Sequence, residues 1–283
     1  MFRIAHAVFL TISLFFLSAC AGDRANTKED QMPTPCIVGP AGPLSVDDGG
    51  IGGLPVVFIH SFAGSKAHWA APLAHLRKSR RAVAIDLRGH GGSAAPAHDE
   101  YTVDALADDI AAGVDGIGLQ RFVLVGHSLG GAAAIAYAGA YPERVAGLVL
   151  VGTPGSSPSE QSCQILAALE SDYEKVMEEY RTSILTGAQP SVEAQLRNEM
   201  RSMPRDASLA IIGAIFAYDP LPDLDKFPGP KLLLDTGHGE SPTSLHHLAP
   251  NVPRQLVNGT SHWPHLDKPQ EFNHLLDGFL AKI

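Results

Sequence analysis

Short apolar runs alternate with stretches of helical periodicity from residue 55 to the end of the chain. Runs made mostly of Val, Ile and Leu predict strands buried on both faces, at residues 56–59, 82–85, 122–125, 148–151, 232–234 and 255–257. Helical periodicity predicts helices at residues 67–76, 103–117, 129–141 and 269–281. This alternation predicts an α/β fold, with a mostly parallel central sheet flanked by helices. Ligand sites in such sheets lie beyond the carboxyl ends of the strands, so we expect functional residues in the loops that follow.

One region interrupts the alternation. Between residues 159 and 217 no run resembles a strand, and apolar side chains recur at helical spacing over 165–184, 192–203 and 208–216. We therefore expect a helical insertion that lies over the strand ends as a cap. The predicted division of the folded part is a core in two pieces separated by this cap, with the core at residues 43–153 and 219–283 and the cap at 154–218.

The first 19 residues have the layout of an export signal, in which Arg3 precedes an apolar run over 7–17 and small residues follow. That run is short for a transmembrane helix. Residues 17–20 read Leu-Ser-Ala-Cys and resemble the lipobox of bacterial lipoproteins, in which the Cys thiol is acylated and the chain is cut just before it. Cys20 is therefore the predicted site of a lipid anchor to the membrane. Residues 20–42 have no periodic apolar pattern and are predicted to be a flexible tether.

The expected location follows from the anchor. Ala21 stands where an Asp would favour retention in the inner membrane, so the resemblance to lipoproteins implies attachment to the bacterial outer membrane. If the signal is instead an ordinary cleaved one, the protein is expected to be periplasmic or secreted. With Cys20 lipidated, the remaining thiols are those of Cys36 and Cys163, and an oxidising periplasm permits them to pair. Their spacing leaves both the paired and the unpaired state open.

The loop between the third apolar run and the following helix carries a specific motif. Residues 122–131 read FVLVGHSLGG, so G-x-S-x-G lies directly after a predicted strand and directly before a predicted helix. So tight a turn requires small neighbours, here Gly126 and Gly130, and directs Ser128 outward. The helix that begins near Leu129 presents backbone amides that can stabilise an anion. Ser128 is therefore the predicted nucleophile.

A serine hydroxyl needs a base to accept its proton and a carboxylate to orient that base. His262 follows the last predicted strand and is the candidate base. Glu240 is the first carboxylate with a turn-like setting after the strand at 232–234, and it is the preferred acid. Asp219, directly after the helical insertion, and Asp235, at the strand end, remain alternatives.

The order Ser128, Glu240, His262 on this strand and helix pattern resembles the α/β-hydrolase superfamily over about residues 56–283. The resemblance implies the α/β-hydrolase fold and acyl transfer through an acyl-enzyme on the serine. It requires no metal and no organic cofactor. A serine in place of an aspartate nucleophile counts against the haloalkane dehalogenase and epoxide hydrolase branches.

Two further segments carry the resemblance. Residues 58–65, FIHSFAGS, are similar to the family's HG loop, in which the amide two residues beyond the His helps to form the oxyanion hole. Carried over, the oxyanion hole consists of the amides of Phe62 and Leu129. Ser61 stands where Gly is usual, which departs from the pattern at a turn that favours Gly. Residues 86–93, DLRGHGGS, resemble a turn signature of the family whose role is architectural.

The expected substrate is a small or medium carboxylic ester, because a cap that roofs the site leaves little room for a long triglyceride. Two alternatives are a serine-dependent hydrolase of carbon–carbon or lactone bonds and a non-catalytic surface lipoprotein with the same fold. Side chains expected to line the pocket are Trp69, Met177, Phe216 and Trp263.

His246, His247 and His265 lack a compact metal-ligand spacing, so no metal site is expected. The 30 Asp and Glu against 21 Lys and Arg, with no basic block, argue against a nucleic-acid partner. The sequence does not indicate an oligomeric state.

Overall fold

Two sheets form in the part of the chain that the computed structural model describes, residues 37–155, 158–237 and 243–283. Their strands are β1 (Ile37–Gly39), β2 (Gly42–Leu44), β3 (Val46–Gly49), β4 (Val56–Ile59), β5 (Ala82–Ile85), β6 (Phe122–His127), β7 (Val145–Val151), β8 (Lys231–Asp235) and β9 (Arg254–Leu256). β1 and β2 pair with each other, and the remaining strands follow the order β3-β5-β4-β6-β7-β8-β9. Only β3 is antiparallel to its neighbour in this larger sheet. The predicted mostly parallel sheet is confirmed.

The helices that the structure describes flank this sheet or lie in the insertion. They are α1 (Ala70–Leu76), α2 (Val103–Gly116), α3 (Leu129–Ala140), α4 (Glu160–Ser171), α5 (Tyr173–Leu185), α6 (Pro190–Ser202), α7 (Arg205–Ala217), α8 (Leu221–Lys226), α9 (Leu245–Leu248), α10 (Pro264–Asp267) and α11 (Pro269–Leu280). The helix predicted at 67–76 begins instead with a 3₁₀ turn, Lys66–Trp69, that leads into α1. The helices predicted at 103–117, 129–141 and 269–281 correspond to α2, α3 and α11.

Helices α4 to α7 follow one another between β7 and β8, where the sequence predicts the insertion. The single helical stretch predicted over 165–184 is two helices, α4 and α5. They meet at Asp172, whose carboxylate accepts a hydrogen bond from the amide of Lys175 at 3.4 Å. An aspartate at this position caps a new helix, so a break occurs although the apolar spacing continues across it.

The predicted tether extends too far along the chain. Within its predicted range, Ile37–Gly39 form β1, which pairs with β2. A Cβ added at Gly116 of α2 would lie 2.8 Å from Ile37 Cγ2, so β1 packs closely on that helix. Strands of three residues give no periodic signal, which explains the error. Residues 1–36, which hold the predicted signal, Cys20 and Cys36, lie outside the described part. Among the described residues, no helix is long and apolar enough to cross a bilayer.

Both faces of the sheet are covered, as continuous apolar strands require. In β4, Val57 and Ile59 belong to the cluster that includes α2, α3 and the insertion, whereas Val56 and Phe58 pack with residues of α1 and α11. The DLRGHGGS segment is tied to α2 by a buried ion pair. The Arg88 guanidinium donates to both carboxylate oxygens of Asp109 at 2.8 Å, and both side chains are almost completely buried.

Candidate active site

Ser128 lies at the sharp turn between β6 and α3, with a strained backbone. Its φ is 52° and its ψ −114°, a conformation that residues other than glycine rarely adopt. The Ser128 amide donates to the carbonyl oxygen of Val151 at 2.9 Å, which holds the turn against the end of β7. Strain of this kind persists only where the surrounding structure imposes it, and it is concentrated at functional sites.

The glycines around Ser128 are required by close packing. A Cβ added at Gly126 would lie 2.3 Å from the carbonyl oxygen of Gly130. A Cβ added at Gly131 would lie 1.9 Å from Thr153 Oγ1. Neither separation is possible between real atoms. The turn therefore requires glycine at position 126, which explains the first glycine of the motif, and Gly131, just beyond the motif, lets α3 pack against Thr153.

The first turn of α3 touches the loop that follows β4. A Cβ added at Gly130 would lie 2.4 Å from the carbonyl oxygen of His60, two residues before Phe62. Leu129 is the first residue of α3, so its amide has no acceptor within the helix. The two amides predicted for the oxyanion hole, those of Phe62 and Leu129, thus belong to elements in direct contact.

The loop after β4 tolerates Ser61 in place of Gly. The Gly64 amide donates to the carbonyl oxygen of Ser61 at 3.0 Å and closes a tight turn. The residue with positive φ in this turn is Ala63, at 55°, and not Ser61. The departure from the family pattern at residue 61 therefore carries no backbone strain.

Two buried neutral histidines hold this loop in place. His60 Nε2 accepts from the Leu87 amide at 3.0 Å, so its Nδ1 carries the proton and donates to the carbonyl oxygen of Ser61 at 2.8 Å. His90 Nε2 accepts from the Ala63 amide at 3.2 Å. Burial, reinforced by the His90 imidazole, lowers the pKa of His60 to about 3, and burial also lowers the pKa of His90. Both rings therefore stay neutral and can accept these hydrogen bonds.

His262 lies beyond the end of β9, against the residue that follows β7. A Cβ added at Gly152, whose φ is 49°, would lie 2.8 Å from His262 Cε1. The His262 amide donates to the carbonyl oxygen of Ile184 in α5 at 3.0 Å. The structure therefore places this imidazole between the sheet and the insertion.

The neighbouring histidines are held neutral. Burial, followed by the nearby His262 and His265, holds the pKa of His127 well below its usual value. Burial, followed by His68 and His262, does the same for the pKa of His265. The neutral His127 ring donates from Nε2 to the carbonyl oxygen of His262 at 2.9 Å. The residue before Ser128 thus supports the backbone that carries the candidate base.

Ser128 and His262 line one cavity of about 470 Å³, beyond the carboxyl ends of β6, β7 and β8. Apolar side chains of the insertion form much of its wall: Ile165, Leu169, Val176, Met177, Ile184, Ile212, Ile215 and Phe216. Polar residues also line it: Asp235 at the end of β8, Arg254 on β9, Thr153, Thr236, Thr243, Ser244 and His246 in the segments after β7 and β8, and Ser159, Gln161, Ser162, Tyr180 and Ser183 of the insertion. The cavity therefore combines a mostly polar floor at the strand ends with a cap wall that is largely apolar and carries several polar side chains.

Two of the predicted pocket residues, Met177 and Phe216, line this cavity, and the two tryptophans do not. The prediction for Trp69 is wrong because its side chain packs on the other face of the sheet, stacked on His265 with ring centroids 4.1 Å apart. The prediction for Trp263 is wrong because its indole points into the core, where Nε1 donates to Ser61 Oγ at 3.1 Å. The side on which a large aromatic packs depends on local turns, which the sequence pattern does not reveal.

Two of the three candidate acids lie within the described residues. Glu240 lies outside the described residues, in the gap between 237 and 243. Asp235 lines the cavity and accepts from Arg254 Nε at 2.7 Å, and His246 Nδ1 lies 3.5 Å from the same carboxylate oxygen. Asp219 is exposed, accepts the Leu221 amide at 3.1 Å and is absent from the described lining of the cavity.

Sequence reasoning missed the contacts that hold the His262 loop. Ser61 accepts from the Trp263 indole, and Asp267 accepts from both the amide and the hydroxyl of Ser261, at 2.8 and 2.6 Å. Asp267 could have been noticed as a carboxylate close to the candidate base along the chain.

Cys163 is an exposed thiol on α4. Within residues 37–155, 158–237 and 243–283, no group of three or more His, Cys, Asp or Glu side chains is arranged to hold a metal ion.

The sequence profile of the α/β hydrolase fold matches residues 55–185. The mouse sn-1-specific diacylglycerol lipase ABHD11 is 31% identical over an alignment of 254 residues that covers 80% of this chain and 80% of that protein. The chain belongs to the α/β-hydrolase superfamily. The resemblance inferred from the motifs is thereby confirmed.

Solved structures of other α/β-hydrolases are similar throughout the fold. A thermophilic esterase from Thermogutta terrifontis has a TM-score of 0.74 and 26% identity, over 85% of this chain and 93% of its own. Est816, described as an N-acyl homoserine lactone degrading enzyme, has a TM-score of 0.72 and 26% identity, over 84% and 96%. These relatives support hydrolase activity for this α/β-hydrolase. Because one is described as an esterase and the other as a lactone-degrading enzyme, membership of the superfamily does not specify the substrate.

Proposed function

We propose that the protein is a serine hydrolase that cleaves carboxylic esters of small or medium size through an acyl-enzyme on Ser128. The observation that carries the proposal is the positive φ of Ser128 at the end of β6, beside a cavity that His262 also lines. A strained serine on a strand-to-helix turn is the arrangement by which this fold exposes a nucleophile.

In the proposed mechanism, Ser128 Oγ attacks the ester carbonyl carbon while His262 accepts its proton. The amides of Phe62 and Leu129 donate to the oxyanion that forms. The alcohol leaves with the proton from His262. A water molecule then attacks the acyl-enzyme carbonyl while His262 accepts its proton, and Ser128 leaves with that proton as the acid is released. Glu240 is the proposed acid that orients His262 and stabilises its charged form.

The proposed size range rests on the cavity. Its volume of about 470 Å³ falls within the usual range for small-molecule sites. The cap helices α4, α5 and α7 supply its apolar wall, which suits an acyl chain. A panel of p-nitrophenyl esters from acetate to palmitate tests the proposal, with turnover expected to be highest for short and medium chains. Equal turnover of long-chain emulsified lipid and short soluble esters would contradict the size range.

A change in the cap should alter chain-length preference. Replacing Phe216 with Ala removes apolar volume from the cavity wall, so we expect the kcat/KM ratio of octanoate over butyrate ester to rise by about 10-fold. Leu209→Ala is the matched control, because Leu209 lies on the same helix, is partly buried and is outside the cavity lining. A ratio that changes equally in both variants would show that Phe216 does not contact the acyl chain.

The alternative proposal is a lactone hydrolase with the same nucleophile. It is favoured by the similarity to Est816, at 26% identity. A lactone and an open-chain ester with the same acyl group distinguish the two, since both require Ser128 but differ in the leaving group. A kcat/KM for the lactone at least 10-fold higher than that for the open-chain ester favours this alternative. A difference of roughly 10-fold corresponds to about 1.4 kcal/mol in transition-state free energy.

We also propose that the protein is attached to the membrane through a lipid on Cys20, a proposal that rests on residues 17–20 of the sequence. In a bacterial host, the wild type is expected to incorporate labelled palmitate and to sediment with the outer membrane. Cys20→Ser should lose the label, because no thiol remains at the cleavage site, whereas Cys36→Ser should retain it. A wild type that is soluble in the periplasm and unlabelled would favour an ordinary signal.

A further inference from the structure

The loop that carries His262 is bonded directly to the cap. We define this histidine loop as residues 260–267. The His262 amide donates to the carbonyl oxygen of Ile184, in the last turn of α5, at 3.0 Å. A Cβ added at Gly187, whose φ is 87°, would lie 2.9 Å from the carbonyl oxygen of Thr260. The turn between α5 and α6 therefore packs against the backbone that directly precedes the candidate base, and α5 accepts a hydrogen bond from the base's own amide.

One buried carboxylate joins the two elements. Asp267 Oδ2 accepts from the amide of Ser261 at 2.8 Å and from its hydroxyl at 2.6 Å, and so closes the histidine loop. Asp267 Oδ1 accepts from the amide of Gln189, the residue before α6, at 2.8 Å. Asp267 is 9% exposed, and hydrogen bonds to a carboxylate are stronger than those between neutral groups. Each oxygen thus serves a different element, one the loop and the other the cap.

The cap cannot move away from the sheet independently of this loop. Displacing the turn between α5 and α6 must either break the bonds from Gln189 to Asp267 and from His262 to Ile184 or carry the histidine loop with it. The loop is also held from the opposite side, because Trp263 donates to Ser61 next to Phe62. The position of His262 is consequently determined by the core and by the cap together.

We propose that Asp267 is a positioning residue that couples the seating of the cap to the alignment of His262. The proposal rests on the proposed function for the role of His262, but the coupling itself is a property of the fold. When the cap is seated over substrate, Asp267 holds Ser261 and Gln189 together and the base is aligned. When the cap lifts, the base loses that alignment. Hydrolysis would then be tied to occupation of the cavity.

Two substitutions test the coupling from its two ends. Asp267→Asn keeps the shape of the side chain but replaces one acceptor oxygen by an NH₂ donor, so one of the two amide bonds is lost. Gln189→Pro deletes the backbone N–H on the cap together with an exposed side chain that makes no capping hydrogen bond, and the native φ of −63° and ψ of 143° suit a proline followed by Pro190. Asp277→Asn is the matched control, a carboxylate-to-amide change on α11 at an exposed residue that pairs with His75.

Hydrogen exchange at the amides of Ser261 and His262 measures the coupling. We expect Gln189→Pro, a change in the cap, to accelerate exchange in the histidine loop by about 10-fold or more. Asp267→Asn should do the same, and Asp277→Asn should have no effect. If Gln189→Pro leaves exchange at these two amides at the wild-type rate, the coupling is wrong. Should Asp267→Asn fail to fold, Gln189→Pro alone decides.

Kinetics separate positioning from a purely structural role. The amount of active protein is first determined by titrating Ser128 with a fluorophosphonate. Per titrated site, kcat for a short ester is expected to fall by about 10-fold in both variants, with KM changed much less, because the base is misaligned while the cavity wall remains. An unchanged kcat per site would overturn the positioning role. If the wild type hydrolyses no ester yet exchange responds as expected, the coupling stands and the proposed function fails.

Discussion

Ser128→Ala is expected to lower kcat for a short p-nitrophenyl ester by about 10⁴ to 10⁶-fold, because the acyl-enzyme can no longer form. Residual hydrolysis would come from the oxyanion donors and from binding alone. Labelling by a fluorophosphonate should disappear altogether in this variant. The measurement is turnover on purified full-length protein, with circular dichroism to establish that the variant is folded.

Ser183→Ala is the matched control for this experiment. Ser183 lies on α5 and lines the same cavity, so the control removes a hydroxyl from the site without touching the turn after β6. We expect its kcat to stay within about 3-fold of the wild type, as for a change away from the reacting atoms. A Ser128→Ala variant with turnover close to that of Ser183→Ala would refute the nucleophile. A folded wild type that neither reacts with the probe nor hydrolyses esters, lactones or diketones would support the non-catalytic alternative.

Much of the fold was predictable because its strands are buried on both faces. Continuous apolar runs such as those of β4, β5 and β6 have no amphipathic alternation to obscure them, and the intervening helices have clear periodicity. The short strands β1 and β2 gave no signal. The break at Asp172 depended on capping, which acts locally and competes with periodicity.

The candidate site was predictable only where local geometry requires particular residues. Gly126 and Gly130 are needed because a Cβ at either position would overlap backbone atoms, so the turn that exposes Ser128 leaves a readable pattern. The hydrogen bond from Gln189 to Asp267 joins residues 78 positions apart and leaves no such pattern. The packing of Trp69 on His265 depends likewise on how a 3₁₀ turn is oriented on the sheet. Contacts of this type follow from the assembled fold and not from local sequence.

Glu240→Gln is expected to lower kcat by roughly 10³ to 10⁴-fold, the effect of replacing a triad acid by its amide. The amide can still occupy the place of the carboxylate, but it cannot stabilise the positive charge that His262 acquires in the transition state. KM should change little, because the acid of a triad bonds to the histidine and not to the substrate. The measurement is kcat on a short ester, per site titrated with the fluorophosphonate.

The same carboxylate-to-amide change at the competing acids makes the test decisive. Asp219→Asn is expected to stay within about 3-fold of the wild type, because Asp219 is exposed and bonded to its own turn. Asp235→Asn removes a charged partner of Arg254, so we expect lower stability, with kcat per titrated site much less affected than in Glu240→Gln. If the large loss of kcat occurs instead in Asp235→Asn, then the strand end supplies the acid.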